Sequence, residues 1–170
     1  MTTQLISRDR VQLRPIRPED VEPLREMRRE PSIYRWWGSA GERWPQPDSD
    51  TQSDNSTQAR AIWSQDELVG FVQWYENPDE RYRHAGIDLF LSEQYQGRGL
   101  GRESVSLVLH SLLAAGHHRV VIDPAADNRR AVSCYQACGF TVVGTMRKYE
   151  RNNDGIGWHD GLLLEYVVED

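Results

Sequence analysis

The stretch Gln94–Arg102, QYQGRGLGR, places glycines at positions 97, 99 and 101 between an apolar segment and a segment with helical periodicity. Glycine permits positive φ and lets a ligand approach the backbone closely. Successive N–H groups at a helix N-terminus bind anions, and Arg98 and Arg102 add positive charge. The stretch therefore predicts a phosphate-binding loop. For the glycines taken alone, a tight strand-to-helix turn without a ligand is the alternative.

Two well-known phosphate loops do not match this stretch. A P-loop ends in Lys followed by Ser or Thr, and the chain has no such pair five residues after a glycine. The dinucleotide fingerprint G-x-G-x-x-G fails as well, because its third glycine would fall on Arg102 or Ser104. What remains is the pattern Q-x-x-G-x-G from Gln96 to Gly101, followed by a helix.

Length and charge narrow the class of protein. The chain has 170 residues, which predicts a single domain spanning residues 1–170. The net charge of -6 repels nucleic acid and favours a cationic substrate. The N-terminus has no apolar core of a signal peptide, and no apolar run approaches the ~20 residues of a membrane span. We expect a cytoplasmic protein without nucleic-acid or membrane partners.

The few cysteines and histidines do not point to a metal. Cys134 and Cys138 lie four residues apart in a helical pattern, which predicts buried thiols. The pair His117-His118 follows a glycine that ends a helix and has no carboxylate or cysteine companions nearby. We expect these histidines at the surface, and we predict no metal site.

Hydrophobic periodicity predicts an α/β domain in which a mixed sheet of about seven strands is flanked by helices. The predicted helices cover 18–30, 102–115 and 128–138, with Asp127 as the cap of the last one. The polar segment 42–58 contains two prolines and predicts a loop or lid. The predicted strands cover 11–16, 59–64, 68–75, 84–92, 119–123, 141–149 and 162–168.

The pattern of Gln96, Gly99 and Gly101 resembles the acetyl-CoA pyrophosphate loop of the GNAT N-acetyltransferase superfamily. A second segment, IDPAADNRRAVSCYQACGF (122–140), resembles another hallmark of that superfamily. In it, Asn128 matches an asparagine that contacts the cofactor, and Tyr135 matches the tyrosine beside the thiol. The two motifs stand at the spacing of the family, and the resemblance covers residues 10–168.

This resemblance implies the GNAT acyl-CoA N-acyltransferase fold with acetyl-CoA as co-substrate. The strands at 84–92 and 119–123 are then expected to splay apart, and acetyl-CoA to lie between them. A backbone N–H near Phe90 would stabilise the carbonyl oxygen of the acetyl group. The implied cofactor-binding residues are Phe90, Leu91, Gln96, Gly97, Arg98, Gly99, Leu100, Gly101, Arg102, Asn128 and Tyr135.

Three further features resemble the aminoglycoside 6'-N-acetyltransferases. They are Trp36-Trp37-Gly38, Gly86-Ile87-Asp88, and Asp123-Pro124 followed by Asn128, Arg130, Ala131 and Cys134-Tyr135. They imply a small polycationic amine as substrate, most specifically the 6'-amine of an aminoglycoside. Trp36 and Trp37 would offer aromatic faces to it, and Asp88 and Asp123 would bind its ammonium group. A monomer or a homodimer would fit the resemblance.

The chemistry requires that the amine lose a proton, because a primary amine has a pKa near ~10. We expect Asp88 to accept it, directly or through water, and Tyr135 to protonate the leaving thiolate. Each residue also has a purely structural interpretation. The tryptophans could belong to the core, Asp88 could make a structural hydrogen bond, Asp123 could form a turn before proline, and Tyr135 could simply pack.

Other functions stay open. LRPIRPEDVEPL (13–24) resembles acetyltransferases of protein N-terminal amines, which need an open groove for a peptide, and a polyamine is another possible acceptor. The acidic stretch DSDTQSD (48–54) favours a cation instead. A different class of protein would be an acyl-CoA-binding module without catalysis. The retention of both Asp88 and Tyr135 argues against that class.

Overall fold

The computed structural model describes residues 6–8, 10–47 and 57–169. The acidic stretch 48–54 and much of the predicted lid therefore lie outside the described residues. The helices are α1 (Val21–Arg29), α2 (Pro31–Trp37), α3 (Leu100–Ala114) and α4 (Arg129–Ala137). The strands are β1 (Ile6–Arg8), β2 (Val11–Arg14), β3 (Thr57–Ser64), β4 (Glu67–Asn77), β5 (His84–Leu91), β6 (Arg119–Ile122), β7 (Thr141–Arg151) and β8 (Trp158–Val167).

Within the described residues, one sheet of eight strands runs in the order β1-β2-β3-β4-β5-β6-β8-β7. The pair β5–β6 is parallel and the other neighbouring strands are antiparallel. The predicted mixed sheet is thus confirmed. The additional strand is β1, whose three residues are too few to display a period in the sequence.

The sheet parts between β5 and β6. Strand β5 pairs with β4 along its whole length, from Asn77↔His84 to Gly70↔Leu91. In the part of the chain that the structure describes, β5 pairs with β6 only at Ala85↔Val120 and Gly86↔Val121. The backbone of β5 beyond Gly86 therefore lies at an open edge inside the sheet, as the expected splay requires.

Apolar side chains alternate between the two faces of the sheet and form a core on each. Ile62 and Val72 belong to the larger core, under α3 and α4. Their neighbours Ala61 and Phe71 belong to the smaller core. That core also contains Leu24 of α1 and Ile33 of α2, so it packs these two helices against the opposite face.

Helix α2 was absent from the predicted elements, although its ends carry the usual signals. Pro31 is its first residue, where a missing N–H costs nothing. Gly38 ends it with φ +62°, and the Gly38 N–H donates to the carbonyl of Tyr34 at 2.9 Å. The helix is only seven residues long, and it places the Trp36-Trp37 pair in its last turn.

Two sequence expectations were wrong. The cap of α4 is Asn128, not Asp127, because the Asn128 side chain accepts from the Ala131 N–H at 3.3 Å. His117 lies in the interior with 3% of its surface exposed, not at the surface. Its Nε2 lies 2.7 Å from Glu76 Oε2, and this partner on β4 is what makes its burial possible. The free thiols Cys134 and Cys138 are half-buried.

None of the helices in residues 6–8, 10–47 and 57–169 is long and apolar enough to cross a membrane.

A matched pair of isoleucines tests the core. Ile62 is fully buried, whereas Ile156 exposes 76% of its surface. We expect Ile62→Ala to lower the free energy of unfolding by about 2–5 kcal/mol, because it removes buried methyl groups and leaves a cavity. Ile156→Ala should change it by less than about 0.5 kcal/mol. Urea denaturation measures both, and equal losses would contradict the assignment of the core.

Candidate active site

A cleft of about 1150 Å³ opens where β5 and β6 part. One end lies between the glycine-rich loop and α4, and the other lies between α2, β5 and β7. Two of the predicted site residues, Arg98 and Leu100, are not part of its lining. The predicted residues that line it are Trp36, Trp37, Asp88, Phe90, Leu91, Gln96, Gly97, Gly99, Gly101, Arg102, Asp123, Asn128 and Tyr135.

The glycine-rich loop has the backbone that an anion site needs. Gly97 and Gly99 have φ of +73° and +83°, which L side chains rarely adopt. Gly99 caps α3, so the N–H groups of its first turn are directed toward the loop. A side chain added at Gly97 would meet no other atom within 4 Å. This end of the cleft therefore presents bare backbone to open space, next to Arg102.

Arg98 and Leu100 occupy other positions. The Arg98 guanidinium lies over the ring of Tyr95, 5.6 Å from its centroid. Leu100 is buried in the larger core with 4% of its surface exposed, so only its backbone could contact a ligand.

Gln96 and Asn128 each already have a protein partner. Gln96 Nε2 donates to the carbonyl of Leu91 at 2.8 Å, and its Oε1 accepts from the Arg130 guanidinium. Gln96 thus links the C-terminal end of β5 to α4 across the cleft. Asn128 caps α4 with its side-chain oxygen. Both residues shape the end of the cleft beside the glycine-rich loop, and Arg130 contributes to it.

Three carboxylates meet at the opposite end of the cleft. Asp88 lies on β5 opposite Gln73 of β4, Asp123 follows β6, and Glu150 lies on β7. Enclosure by the cleft, together with the negative charges of Asp123 and Glu150 and against a hydrogen bond from Gln73, raises the pKa of Asp88 to about 7. The carboxylate stays open to the water of the cleft, so a substrate could reach it.

The two tryptophans have different surroundings. The ring of Trp37 meets Phe71 and Phe90 edge-on, with centroids 6.0 and 5.1 Å away, so it belongs partly to the smaller core. Trp36 stands outside that core and faces the ring of His159 on β8, with centroids 6.5 Å apart. Trp36 therefore joins α2 to the last hairpin, and both rings line the cleft.

The hairpin of β7 and β8 closes this end of the cleft. Asn153, in the loop between the two strands, donates from Nδ2 to the carbonyls of Tyr34 and Arg35 at 2.9 and 2.8 Å. These carbonyls belong to α2. An added Cβ at Gly38 would come within 2.5 Å of Asn153 Oδ1, so the glycine leaves room for this contact. The hairpin loop therefore forms a wall against α2.

Tyr135 lies between the two ends of the cleft. It is buried on α4, and burial, reinforced by the charge of Asp88, holds the pKa of its phenol well above the ordinary value. The hydroxyl therefore keeps its proton and can donate a hydrogen bond into the cleft.

Comparison with known proteins identifies the family. Residues 24–140 match the model of the acetyltransferase (GNAT) family. The chain belongs to the GNAT acetyltransferases. Members of this family use acetyl-CoA as co-substrate, and the residues present fit it. Bare glycine backbone at a helix N-terminus suits the pyrophosphate, and the unpaired edge of β5 suits the amide-bearing arm.

Curated relatives include acetyltransferases with different acceptors. The mycothiol acetyltransferase of Corynebacterium glutamicum (strain R) is 37% identical over 90 residues, which cover 53% of this GNAT chain and 30% of that protein. The chain thus matches less than a third of that relative's length. The aminoglycoside N(6')-acetyltransferase type 1 of Klebsiella pneumoniae is 28% identical over 159 residues, 82% of this chain and 78% of that one.

Solved GNAT structures share the fold. The ribosomal L7/L12 α-N-protein acetyltransferase RimL, in complex with coenzyme A, superposes with a TM-score of 0.79 at 21% identity over 97% of this chain and 98% of that one. The aminoglycoside acetyltransferase AAC(6')-Ib with coenzyme A gives 0.72 at 23% identity over 92% and 94%. At these identities, the likeness establishes the fold of this GNAT protein and leaves the acceptor open.

Tyr149 and Glu150 were the functional candidates that the sequence did not reveal. Both line the cleft of this GNAT protein, and Tyr149 Oη donates to Asp123 Oδ2. They lie 26 and 27 residues after Asp123, in a charged run whose polar residues do not alternate as in a half-exposed strand. The one available signal was that break in alternation. It indicates a bulge in the strand, but it does not show which residues the redirected side chains contact.

The raised pKa of Asp88 predicts a pH-dependent cost in stability. The folded chain keeps this proton up to about pH 7, whereas the unfolded chain releases it near the ordinary value of 3.8. Folding thus becomes less favourable as pH rises through this window. We expect Asp88→Asn to melt at a higher temperature than the wild type at pH 8, with a gap that shrinks toward pH 5.

The control is Glu80→Gln, which removes one charge from an exposed position outside the cleft. Its melting temperature should follow the wild type at every pH. A gap for Asp88→Asn that is constant or reversed between pH 5 and 8 would contradict the environment described for Asp88.

Proposed function

We propose that this GNAT enzyme acetylates a primary amine of a small polycationic substrate, and that the acceptor is the 6'-amine of an aminoglycoside. The observation that carries the proposal is the convergence of Asp88, Asp123 and Glu150 at one end of the cleft, beside the faces of Trp36 and Trp37. Such acetylation would remove a positive charge from the antibiotic, which is consistent with a role in resistance.

The electrostatics support a polycation. The negative charges of Asp123 and Glu150 help raise the pKa of Asp88, and this repulsion is unfavourable unless a cation binds between the carboxylates. An ammonium group relieves this repulsion, and a substrate with several amines relieves more of it. Arg35 lies over the ring of Trp36 at 4.5 Å and Arg28 over the ring of Trp37 at 5.4 Å, so these rings contribute flat walls for a sugar ring rather than free cation-binding faces.

The proposed chemistry needs two proton transfers, one from the amine and one to the leaving sulfur, and one residue serves each. A carboxylate with a pKa of about 7 is a better proton acceptor than an ordinary aspartate, because its pKa lies near the operating pH. Asp88 would orient the ammonium and accept its proton. Acetyl-CoA supplies the acetyl thioester. The phenol of Tyr135 is protonated before the reaction, because its pKa is raised, and it would donate that proton to the departing sulfur.

A protein N-terminus is the rival acceptor, in keeping with the resemblance of residues 13–24. Tyr149 and Glu150 of the last hairpin line the acceptor end, and this supports a compact amine over an extended peptide, because a peptide needs an open groove there. The curated relative from Klebsiella pneumoniae also supports the aminoglycoside. Single-domain organisation, a cytoplasmic location and a monomeric or homodimeric state remain predictions.

The deciding experiment is thiol release from acetyl-CoA with a panel of acceptors. The panel contains kanamycin, an aminoglycoside with a hydroxyl in place of the 6'-amine, spermidine and a short peptide with a free N-terminus. We expect release with kanamycin and none with the hydroxyl analogue. Release with the peptide alone would move the function to protein acetylation, and release with spermidine alone would leave the amine class intact and refute the aminoglycoside.

Substitutions at the acidic end separate proton transfer from binding. Asp88→Asn should lower kcat by about 10²-fold or more, as loss of a general base does. Glu150→Gln should mainly raise KM for kanamycin, because it removes a charge that attracts the substrate without touching the base. Steady-state kinetics at pH 7.5 measures both, with Glu80→Gln as the control for loss of a charge outside the cleft. An unchanged kcat for Asp88→Asn would remove it from the mechanism.

A further inference from the structure

Strand β7 carries a bulge directly above the acidic end of the cleft. Its pairing with β8 runs to Met146↔Gly161 and resumes at Glu150↔His159, so three residues of β7 face one residue of β8. Lys148 lies at the centre of the bulge with φ +49°. A bulge of this kind bends its strand and redirects the side chains next to it.

Residues of β8 hold the bulge in place. Asp160 Oδ1 accepts from the backbone N–H of Lys148 at 2.7 Å, which closes the irregular turn. A Cβ at Gly161 would come within 2.7 Å of the Tyr149 ring, so that ring packs directly on bare backbone. Together, the carboxylate of Asp160 and the missing side chain of Gly161 aim Tyr149 into the cleft. These two contacts give the segment Trp158–Gly161 a role in shaping the site.

Strand β8 also holds the segment that follows Asp123, the residue that Tyr149 contacts. The carbonyl of Asp160 accepts from the Ala126 N–H at 2.8 Å, and the Leu162 N–H donates to the carbonyl of Pro124 at 2.9 Å. Strand β8 therefore fixes both the segment after Asp123 and the bulge that carries Tyr149. The hydrogen bond from Tyr149 Oη to Asp123 Oδ2 joins two parts that are anchored on one support.

The hydrogen bond distinguishes the two aspartates. This hydrogen bond, partial burial and the charge of Asp123 raise the pKa of the Tyr149 phenol, so Tyr149 keeps its proton and acts as a donor. The hydrogen of this phenol is directed at Asp123, and it partly offsets the negative charge that Asp123 places beside Asp88. Asp88 has a hydrogen bond from Gln73 of β4, and it faces Tyr75 from β4, Asp123 after β6, Glu150 from β7 and Tyr135 from α4. The phenol of Tyr149 donates to Asp123 and not to Asp88.

We propose that Tyr149 is a positioning residue, which holds Asp123 as the fixed anionic anchor of the amine and thereby leaves Asp88 as the carboxylate that takes the proton. This inference rests on the proposed function in one respect, namely that the substrate is an amine. The division of roles between the two carboxylates is a property of the protein itself and can be measured without any acceptor.

Tyr149→Phe is the sharpest variant, because it keeps the ring against Gly161 and removes only the hydroxyl. The matched control is Tyr82→Phe, which removes a hydroxyl from a residue that exposes 71% of its surface outside the cleft. Thermal melting and acetyl-CoA affinity verify that both variants fold.

The first readout is an NMR titration of ¹³C-labelled aspartate carboxyls in acceptor-free protein, with Asp88 assigned through Asp88→Asn. We expect its midpoint to move to higher pH in Tyr149→Phe, because Asp123 then repels the Asp88 charge without a donor to offset it. Tyr82→Phe should leave the midpoint in place. A midpoint for Asp88 that is the same in Tyr149→Phe and in the wild type would overturn the inference.

The second readout is kinetic and uses whichever panel acceptor the wild type acetylates. We expect kcat/KM at pH 7 to fall about tenfold, the size of one hydrogen bond to a charged group, with the acidic limb of its pH profile displaced upward and KM for acetyl-CoA unchanged. An unaltered pH profile would overturn the inference. If no acceptor is acetylated by the wild type, the proposed function fails, and the titration alone decides the role of Tyr149.

Discussion

The parting of β5 from β6 after Gly86 is the constraint on which the rest of this protein depends. A parallel pair that continued to Leu91 would use every backbone group of β5 in the sheet. Because the strands separate, these groups need other partners, and a buried unpaired group is costly. Gln96 satisfies the carbonyl of Leu91. Strand β4 holds the full length of β5 on its other side, so the sheet opens without coming apart.

The opening has opposite character at its two ends. At one end, glycine backbone, the N-terminus of α3, Arg102 and Arg130 favour anions. At the other end, carboxylates from β5, from the segment after β6 and from β7 lie together and favour cations, while Arg28 and Arg35 of the same lining lie over the two tryptophan rings. In the proposed function, a pyrophosphate at one end and an ammonium at the other would bring a thioester and an amine together between them. The proposed acetyl transfer would thus follow from the arrangement of charge along a single opening.

Keeping charges of one sign together is unfavourable for the fold, and the surrounding structure compensates for it. Asp88 loses solvation and gains repulsion, which the raised pKa expresses. The last hairpin supplies the support. Asn153 attaches its loop to α2, Asp160 closes the bulge in β7, and Gly161 makes room for Tyr149. A segment that reads as a simple closing hairpin therefore determines much of the shape of the acceptor end.

The sequence by itself determined the family, the order of the main elements and the glycine-rich turn into α3, because these depend on local patterns. Glycines that need positive φ, an apolar strand before them and a helix after them lie within twenty residues of one another. The carboxylate of Asp88 was also recognisable, since a charge inside an apolar strand requires a reason. Helix α2 and strand β1 were missed because each is too short for its periodicity to stand out.

Only the tertiary structure decided how the acceptor end is built. Tyr149 and Glu150 reach Asp123 and Asp88 through a bulge, and the extra residues of a bulge erase the alternation by which a strand is recognised. His117 is buried because Glu76 lies beside it, 41 residues away in the chain. Contacts of this kind depend on which strands become neighbours, and that is settled by packing of the whole sheet rather than by any local run of residues.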